Sequence, residues 1–241
     1  MFDRITRLAT TPSTNDVAAS LPSGSVVVAE QQTAGRGRRG RAWFSPPGSG
    51  LYVSVVVERP RAADPDRATA LLTLAAGVAI AEGIGDASAL HVDLKWPNDL
   101  YVGRRKLGGI LAEAASAGGA VERIVVGFGI NLAAAAYPPD VADRATSLAS
   151  ELGRAVDGED VLRSSLARLA RRYGDLVAGR FDDILDAWRR RAPGAMGAPV
   201  TWASGAGPVD GVTHGVDSHG ALLIRTGDRV ERIVAGEIVW R

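Results

Sequence analysis

Cysteine is absent from the 241 residues, which excludes disulfide bonds, thiolate zinc sites and a cysteine nucleophile. Histidine is scarce, and His91, His214 and His219 are too scattered along the chain to indicate a metal site. No apolar run reaches the length of a membrane span, and the N-terminal segment lacks the apolar centre of a signal peptide. We therefore expect a cytoplasmic protein that does not contact a membrane.

A large net charge is also missing. The formal net charge is only +1, so no overall field attracts the chain to nucleic acid or to a membrane. Any function that requires positive charge must then come from a local cluster. The length, with 46% hydrophobic and 23% charged residues, fits one globular domain or one domain with a small appendage.

Lysine is nearly absent, because the chain has 26 arginines but only two lysines, Lys95 and Lys106. A genome that favours arginine codons accounts for the bias itself. Both lysines nevertheless lie within one short stretch, "LKWPNDLYVGRRKLGGILAE". Since an ammonium and a guanidinium are not interchangeable at a tight polar site, we expect chemistry to require at least one of them.

The order of predicted elements indicates an α/β (α+β) fold. Apolar runs at 25–30 and 50–58 predict buried strands, and Asp64-Pro65 predicts the start of an apolar helix. Further strands follow, two of them joined by a turn around Gly118-Gly119, and then two helices. After residue 194 the pattern changes to short strands separated by glycine and aspartate turns, which is typical of a small β-barrel. The predicted domains are 1–194 and 195–241.

The stretch "GRGRRGRAWFSPPGSG" at 35–50 concentrates four arginines and five glycines between two predicted strands. It fits the Rossmann pattern G-x-G-x-x-G formally, but Pro46 and Pro47 prevent the helix that must follow. A Walker loop would need Lys-Ser/Thr where Arg41-Ala42 stands. Backbone amides and guanidinium groups in such a loop can converge on carboxylate and phosphate oxygens. A mobile surface loop or a nucleic-acid-binding patch remains an alternative on this stretch alone.

Five motifs occur in order: "STN" at 13–15, "QQTAGRGRRGRAWFSP" at 31–46, "KWPNDLY" at 95–101, "KLGGILAE" at 106–113 and "GFGINL" at 127–132. Together they resemble the motif series of biotin–protein ligases, also called biotin–[acetyl-CoA-carboxylase] ligases. The resemblance spans nearly the whole chain. It implies a catalytic domain with a mixed β-sheet and flanking helices, followed by an SH3-like β-barrel.

The resemblance implies that biotin reacts with magnesium-ATP to form biotinyl-5′-AMP. The biotin then passes to one lysine of a biotin carboxyl carrier protein or domain. Because "STN" begins at residue 13, we expect the monofunctional form, without a DNA-binding domain and without a DNA partner. The resemblance leaves a monomer or a weak homodimer open. A lipoate-type ligase is disfavoured by "GRGRRGR" together with "KWPND". A non-catalytic biotin-binding or nucleic-acid-binding module also stays open.

The resemblance also assigns site residues. Lys106, Arg38 and Asp99 are expected to be catalytic, with Lys106 bridging biotin and α-phosphate oxygens. Asp99 either orients or deprotonates the incoming lysine or makes only a structural hydrogen bond. Biotin contacts are expected at Ser13, Thr14, Asn15, Gln32, Gly35, Arg36, Gly37, Arg38, Lys106 and Gly109. Adenylate contacts are expected at Arg38, Arg39, Arg41, Trp43, Lys95, Asn98, Lys106, Gly127, Gly129 and Asn131.

Ser13 and Trp43 each have a second interpretation, and the glycines have a structural reason to be at the site. Ser13 with Asp16 fits a capping box at a helix start, in addition to ligand contact. Trp43 either closes over the adenylate or anchors the loop in the core. The glycines of the last two motifs permit close backbone approach. We expect no direct protein cage for a metal ion, whereas Trp96 and Pro97 are expected to pack.

Overall fold

A seven-stranded mixed sheet forms the first part of the protein. The computed structural model describes residues 1–117, 120–135, 137–204 and 207–241. The strands lie in the order β1-β2-β3-β7-β6-β5-β4, with β1 parallel to β2 and the other pairs antiparallel. Their bounds are β1 Arg4–Thr11, β2 Ser25–Gln32, β3 Gly50–Glu58, β4 Asp93–Lys95, β5 Asp99–Val102, β6 Arg105–Ala117 and β7 Ala120–Asn131. The predicted mixed sheet is confirmed. The turn predicted at Gly118-Gly119 lies outside the described residues.

Helices cover the sheet and connect its strands. Their bounds are α1 Thr14–Ala19, α2 Pro65–Ser88, α3 Pro139–Ala142, α4 Leu148–Leu152, α5 Gly158–Val177 and α6 Phe181–Arg191. The start of α2 is as predicted, because the Asp64 side chain accepts a hydrogen bond from the Arg67 backbone N–H at 3.0 Å. Pro65 occupies the first turn, where its missing N–H has no helical partner to lose.

The long helix α2 corrects one expectation from the sequence. By length and composition alone, α2 is apolar enough to cross a membrane, so the prediction that no apolar run reaches that length is wrong. In the fold, 72% of its most apolar 18-residue window is buried inside the molecule. Gly77 on α2 faces Leu94 of β4 and Ile110 of β6, so the helix packs against the sheet. Its hydrophobicity is therefore accounted for by its place in the core.

The C-terminal strands form a second, five-stranded antiparallel sheet, in the order β11-β10-β9-β8-β12. Short strands with tight turns were predicted here, and this fold class is confirmed. The pairings in the described part of the chain leave β11 and β12 as edges, so the sheet does not close into a full barrel. The strands are β8 Met196–Ser204, β9 Gly207–Val216, β10 Leu222–Thr226, β11 Arg229–Ile233 and β12 Ile238–Trp240.

One hydrophobic core is shared by both sheets. Trp202 and Leu222 of the second sheet belong to the same buried cluster as Leu71 of α2. Trp96, which is 4% exposed, donates a hydrogen bond from Nε1 to the Gly220 carbonyl at 2.9 Å. Trp96 therefore has the packing role expected from the sequence, and it ties the second sheet to the end of β4.

Gly83 provides a test of the packing between α2 and α5. A Cβ built at Gly83 would lie 2.5 Å from the Ser165 Cα atom of α5. We expect Gly83→Ala to lower the free energy of unfolding by roughly 1–3 kcal/mol, because two helix backbones would have to separate. Urea denaturation measures this change.

Gly85→Ala is the matched control in the same helix. There the added methyl group meets nothing closer than the Leu90 carbonyl oxygen at 3.6 Å. Alanine favours a helix over glycine, so this variant should be unchanged or more stable by up to about 1 kcal/mol. Equal destabilisation of both variants would contradict the close approach of the two helices.

Candidate active site

A cleft of about 1280 Å³ opens between the first sheet, the glycine–arginine loop at 35–41 and the end of the second sheet. All residues assigned to the site from the sequence line this cleft. Positions that are distant in the chain, such as Ser13, Lys106 and Asn131, thus lie on one surface. The convergence agrees with the predicted positions, while the contact of each residue with a ligand stays a prediction.

The start of α1 forms one end of the cleft. Ser13 is the N-cap residue, but its side chain makes no capping hydrogen bond, so the predicted capping box is wrong. Asp16 instead accepts two hydrogen bonds from Arg36 of the loop, at 2.5 and 2.8 Å. An exposed guanidinium offers a charge-assisted, two-point contact that a backbone N–H cannot match. The Ser13 side chain is thereby left without a capping role.

Asn15 is fixed by partners that the sequence reading did not identify. Its Nδ2 donates to Glu113 Oε2 at 2.6 Å, and its Oδ1 lies 2.5 Å from the Ser54 hydroxyl. Ser54 is fully buried and also lies 2.7 Å from the Thr14 hydroxyl. A lone serine within the apolar strand "LYVSVVV" was the available signal for this position.

Gln32 continues this polar network on β2. Its Oε1 accepts hydrogen bonds from the Thr14 backbone N–H at 2.9 Å and from the Thr14 hydroxyl at 3.1 Å. Its Nε2 donates to the Ser45 hydroxyl at 3.0 Å. Hydroxyl and amide groups that both donate and accept are thus concentrated at this end of the cleft, without a free charge.

Two glycines on β7 make room for side chains of the site. A Cβ atom at Gly127 would clash with the Asn15 amide, and a Cβ atom at Gly129 would clash with the Trp43 indole. The sequence predicted close backbone approach at these glycines. The structure shows that the approaching groups are protein side chains, which are placed side by side over β7.

The glycine–arginine loop is folded back on itself. The Gly37 N–H donates to the Arg41 carbonyl at 2.7 Å, and the Trp43 N–H donates to the Gly35 carbonyl at 2.8 Å. Arg39 at the tip has φ 59°, a left-handed conformation that is uncommon for a residue with a side chain. The loop therefore has a defined turn with its arginines directed to different parts of the cleft.

The loop arginines differ in their partners. Arg36 is paired with Asp16, and this hydrogen bond lowers the pKa of Asp16. Arg41 is paired with Glu237, just before β12, and lowers the pKa of that carboxyl. Within the described residues, Arg38 makes no ion pair, and burial lowers its pKa. Its Nη1 lies 3.4 Å from Asn98 Oδ1, so Arg38 lines the cleft without a carboxylate that an anion would have to displace.

Lys106 is held against a carboxylate at the centre of the cleft. Its Nζ lies 2.7 Å from Asp99 Oδ1 and 5.5 Å from the centre of the Trp43 ring. The segment after α3 fixes its backbone, because the Lys106 N–H donates to the Arg144 carbonyl and the Thr146 N–H donates to the Lys106 carbonyl. The ammonium position is thus set by β6, and Asp99 serves as its counter-ion in this state.

The remaining polar residues use part of their hydrogen-bonding capacity within the protein. Asn98 Nδ2 donates to the Ile110 carbonyl at 2.7 Å, and Asn131 Nδ2 donates to the Thr146 carbonyl at 2.8 Å. Phe44 and Tyr137 form an edge-to-face pair at the cleft wall, with ring centres 6.2 Å apart. Neither aromatic was assigned from the sequence. The cleft thus combines an aromatic wall with partly used amide groups.

The site therefore has a neutral polar end, a central group of cations and an aromatic wall. Such an arrangement can bind a ligand with a hydrogen-bonding head and bring two anionic groups together beside Lys106 and Arg38.

Comparison with known proteins agrees with this geometry. Residues 2–131 match the Biotin/lipoate A/B protein ligase family, and residues 196–241 match the Biotin protein ligase C terminal domain. The chain is 37% identical to the biotin–[acetyl-CoA-carboxylase] ligase of Paracoccus denitrificans, covering 97% of this chain and 99% of that protein. It is 35% identical to the bifunctional ligase/repressor BirA of Bacillus subtilis and spans 66% of the length of that relative.

Solved structures show the same fold. The biotin protein ligase from Aquifex aeolicus in complex with biotin and ATP superimposes with a TM-score of 0.86 at 28% identity, covering 100% of this chain and 99% of that one. Both the sequence matches and the fold lead to one assignment: the chain belongs to the biotin/lipoate protein ligase family.

Proposed function

We propose that this protein is an ATP-dependent ligase that activates biotin to biotinyl-5′-AMP. It then transfers the biotin to a lysine of a biotin carboxyl carrier protein or domain. The observation that carries the proposal is the position of Lys106. Its ammonium lies 2.7 Å from Asp99 and 5.5 Å from the centre of the Trp43 ring, in the cleft that the arginine loop and the polar network also line. A relative that covers 97% of this chain is named biotin–[acetyl-CoA-carboxylase] ligase.

The neutral end of the cleft fits the ureido group of biotin. A ureido group has two N–H donors and one carbonyl acceptor, and the Thr14, Asn15 and Gln32 side chains offer both kinds of partner. Because Ser54 and Glu113 already orient Asn15, its amide does not have to be ordered when the ligand binds. Ser13, whose side chain makes no capping hydrogen bond, is available to the same group.

Activation brings together two anions, the biotin carboxylate and the ATP α-phosphate. A carboxylate oxygen attacks the α-phosphorus, the bond to the pyrophosphate oxygen breaks, and pyrophosphate leaves with its charge. The Lys106 ammonium leaves Asp99 and binds one oxygen of the biotin carboxylate and one of the α-phosphate. Arg38 faces the phosphate from the loop. The Lys106–Asp99 pair is partly exposed, so this exchange has a modest cost.

Transfer follows on the same surface. The amine of the carrier lysine attacks the biotinyl carbonyl carbon, the bond to AMP breaks, and the amine loses one proton. Asp99, released from Lys106, is placed to orient that amine or to accept its proton. The loop covers the mixed anhydride until the amine arrives, because water would otherwise hydrolyse it.

Magnesium fits this site as an ion that binds together with the nucleotide. In the described part of the chain, no three His, Asp or Glu side chains gather as a metal site, and Asp99 is already paired with Lys106. Magnesium bound with ATP would neutralise phosphate charge, held mainly by the phosphates themselves. This would explain why the protein supplies cations rather than a carboxylate cage.

The direct test is pyrophosphate release that depends on both biotin and ATP, followed by the mass increase of an added carrier domain. Lipoate in place of biotin is the control for the related ligase activity. No biotin-dependent release by the wild-type protein would refute the proposal.

Lys106 variants test the central assignment. Lys106→Ala should lower the rate of adenylate formation by roughly 10²–10³-fold, the usual loss on removing one preorganised electrostatic group. Lys106→Arg should also be impaired, since a planar fork cannot occupy the ammonium position between Asp99 and Trp43. Wild-type turnover by Lys106→Arg would contradict a specific requirement for lysine.

Substitutions at Gly127 and Gly129 of β7 test the two ends of the cleft separately. Gly127→Ala displaces Asn15 and should weaken biotin binding by roughly 10-fold or more, the effect expected when one buried polar group is misplaced. Gly129→Ala displaces Trp43 instead and should act mainly on the adenylate. Calorimetric titration with biotin alone distinguishes them. Equal weakening by both changes would argue against two separate subsites.

Substitution of Arg38 tests whether the glycine–arginine loop covers biotinyl-5′-AMP. Arg38→Gly removes the fork beside Asn98 and adds backbone freedom, so the closed loop loses contacts and requires more ordering entropy. Adenylation should continue through Lys106, but biotinyl-5′-AMP should escape and label other amines. A lysine-rich bystander protein, probed with streptavidin after incubation with biotin and ATP, measures this escape. If Arg38→Gly still biotinylates its carrier but labels the bystander protein no more than the wild type does, the loop does not cover the intermediate.

A further inference from the structure

Lys95 lies against two aromatic rings that come from different sheets. Its Nζ is 5.4 Å from the centre of the Tyr101 ring on β5 and 4.8 Å from the centre of the Trp240 ring on β12. The two rings are 5.3 Å apart and inclined by 56°, so they form an aromatic corner. All three side chains line the cleft. The second sheet thus contacts a cation of the candidate active site directly.

The backbone fixes the position of Trp240. On β12, Trp240 pairs with Val200 of β8, and the N–H of the following residue donates to the Pro199 carbonyl at 3.2 Å. A Cβ atom at Gly194 would lie 2.7 Å from the indole, so the chain before β8 passes close to one side of Trp240. The indole is therefore held as a rigid part of the corner.

The indole N–H has no function in this contact. Trp240 Nε1 is buried without a hydrogen-bond partner among the described residues. A buried unpaired donor is unfavourable, and a phenylalanine would present a ring face without it. The ring face, which attracts a cation electrostatically, is what Trp240 offers to Lys95.

The charges around Lys95 leave its ammonium available to an anion. Burial lowers the pKa of Lys95, the carboxylates of Asp99 and Glu237 raise it, and Lys106 and Arg144 lower it further. Within the described residues, no carboxylate lies within ion-pair distance of Lys95, whereas Lys106 and Arg41 are each paired. A cation held by ring faces keeps its charge without a counter-ion that a ligand must displace.

We propose that Trp240, together with Tyr101, is a positioning residue that directs Lys95 toward the phosphates of the nucleotide. The inference rests on the proposed function, since it identifies Lys95 as a contact of ATP. Trp240 touches Lys95 and not the nucleotide. The second sheet takes part in nucleotide binding through this contact.

The test compares Trp240→Leu with Trp240→Phe in the full-length protein, by pyrophosphate release with biotin and ATP. Trp240→Leu should raise the KM for ATP about 5- to 10-fold, the range for loss of one partly desolvated cation–π contact, with the KM for biotin unchanged. Trp240→Phe keeps a ring face and should stay within about 2-fold of wild type. If phenylalanine is as harmful as leucine, or if both KM values rise together, the proposal is wrong.

A double-mutant cycle with Lys95→Met separates positioning from packing. If Trp240 acts through Lys95, adding Trp240→Leu to Lys95→Met should not raise the KM for ATP further. Effects that multiply would overturn the inference alone, because the enzyme would still be active. A wild-type protein that releases no pyrophosphate with biotin would instead refute the proposed function, and this inference with it.

Discussion

The pairing of three cleft cations with carboxylates from other elements is the constraint on which the site depends. Asp16 of α1 holds Arg36, Asp99 of β5 holds Lys106, and Glu237 before β12 holds Arg41. Several positive charges facing one cleft would otherwise repel one another and spread apart. The pairs are partly exposed, so an anionic ligand can replace a carboxylate at small cost. The same contacts therefore organise the empty cleft and leave it able to accept anions.

Strand β7 supports both ends of this arrangement. Side chains two residues apart on a strand point to the same face, so Gly127 and Gly129 clear adjacent places on one surface. Asn15 occupies the first place and Trp43 the second. The polar network around Asn15 and the loop that carries the cations thus rest on the same strand. A shift of β7 would alter both, which links the position of the loop to the position of the polar end.

Local patterns in the sequence predicted the features that depend on neighbouring residues. The start of α2 and the buried strands at 25–30 and 50–58 are of this kind, whereas the mixed sheet and the site residues around the cleft were implied by the resemblance to a known family. The partners of these residues were not predictable, because Ser54, Glu113 and Trp240 reach the site through strand pairing and packing between distant segments. The capping box failed for the same reason, since Asp16 has a stronger partner in Arg36, twenty residues away. The hydrophobicity of α2 likewise has its explanation only in the assembled core.

The second sheet cannot be treated as a separate attachment to the cleft. A Cβ atom at Gly220 would lie 2.8 Å from Leu74 of α2, and the carbonyl of Gly220 accepts the hydrogen bond from Trp96. Removing the chain after residue 194 would therefore expose α2 and would also remove Glu237 and Trp240 from the cleft. Loss of activity in such a truncation would combine unfolding of the core with loss of site contacts. Because Glu237 and Trp240 contact different cations, Arg41 and Lys95, single substitutions can separate what the sheet contributes to the loop from what it contributes to the position of Lys95.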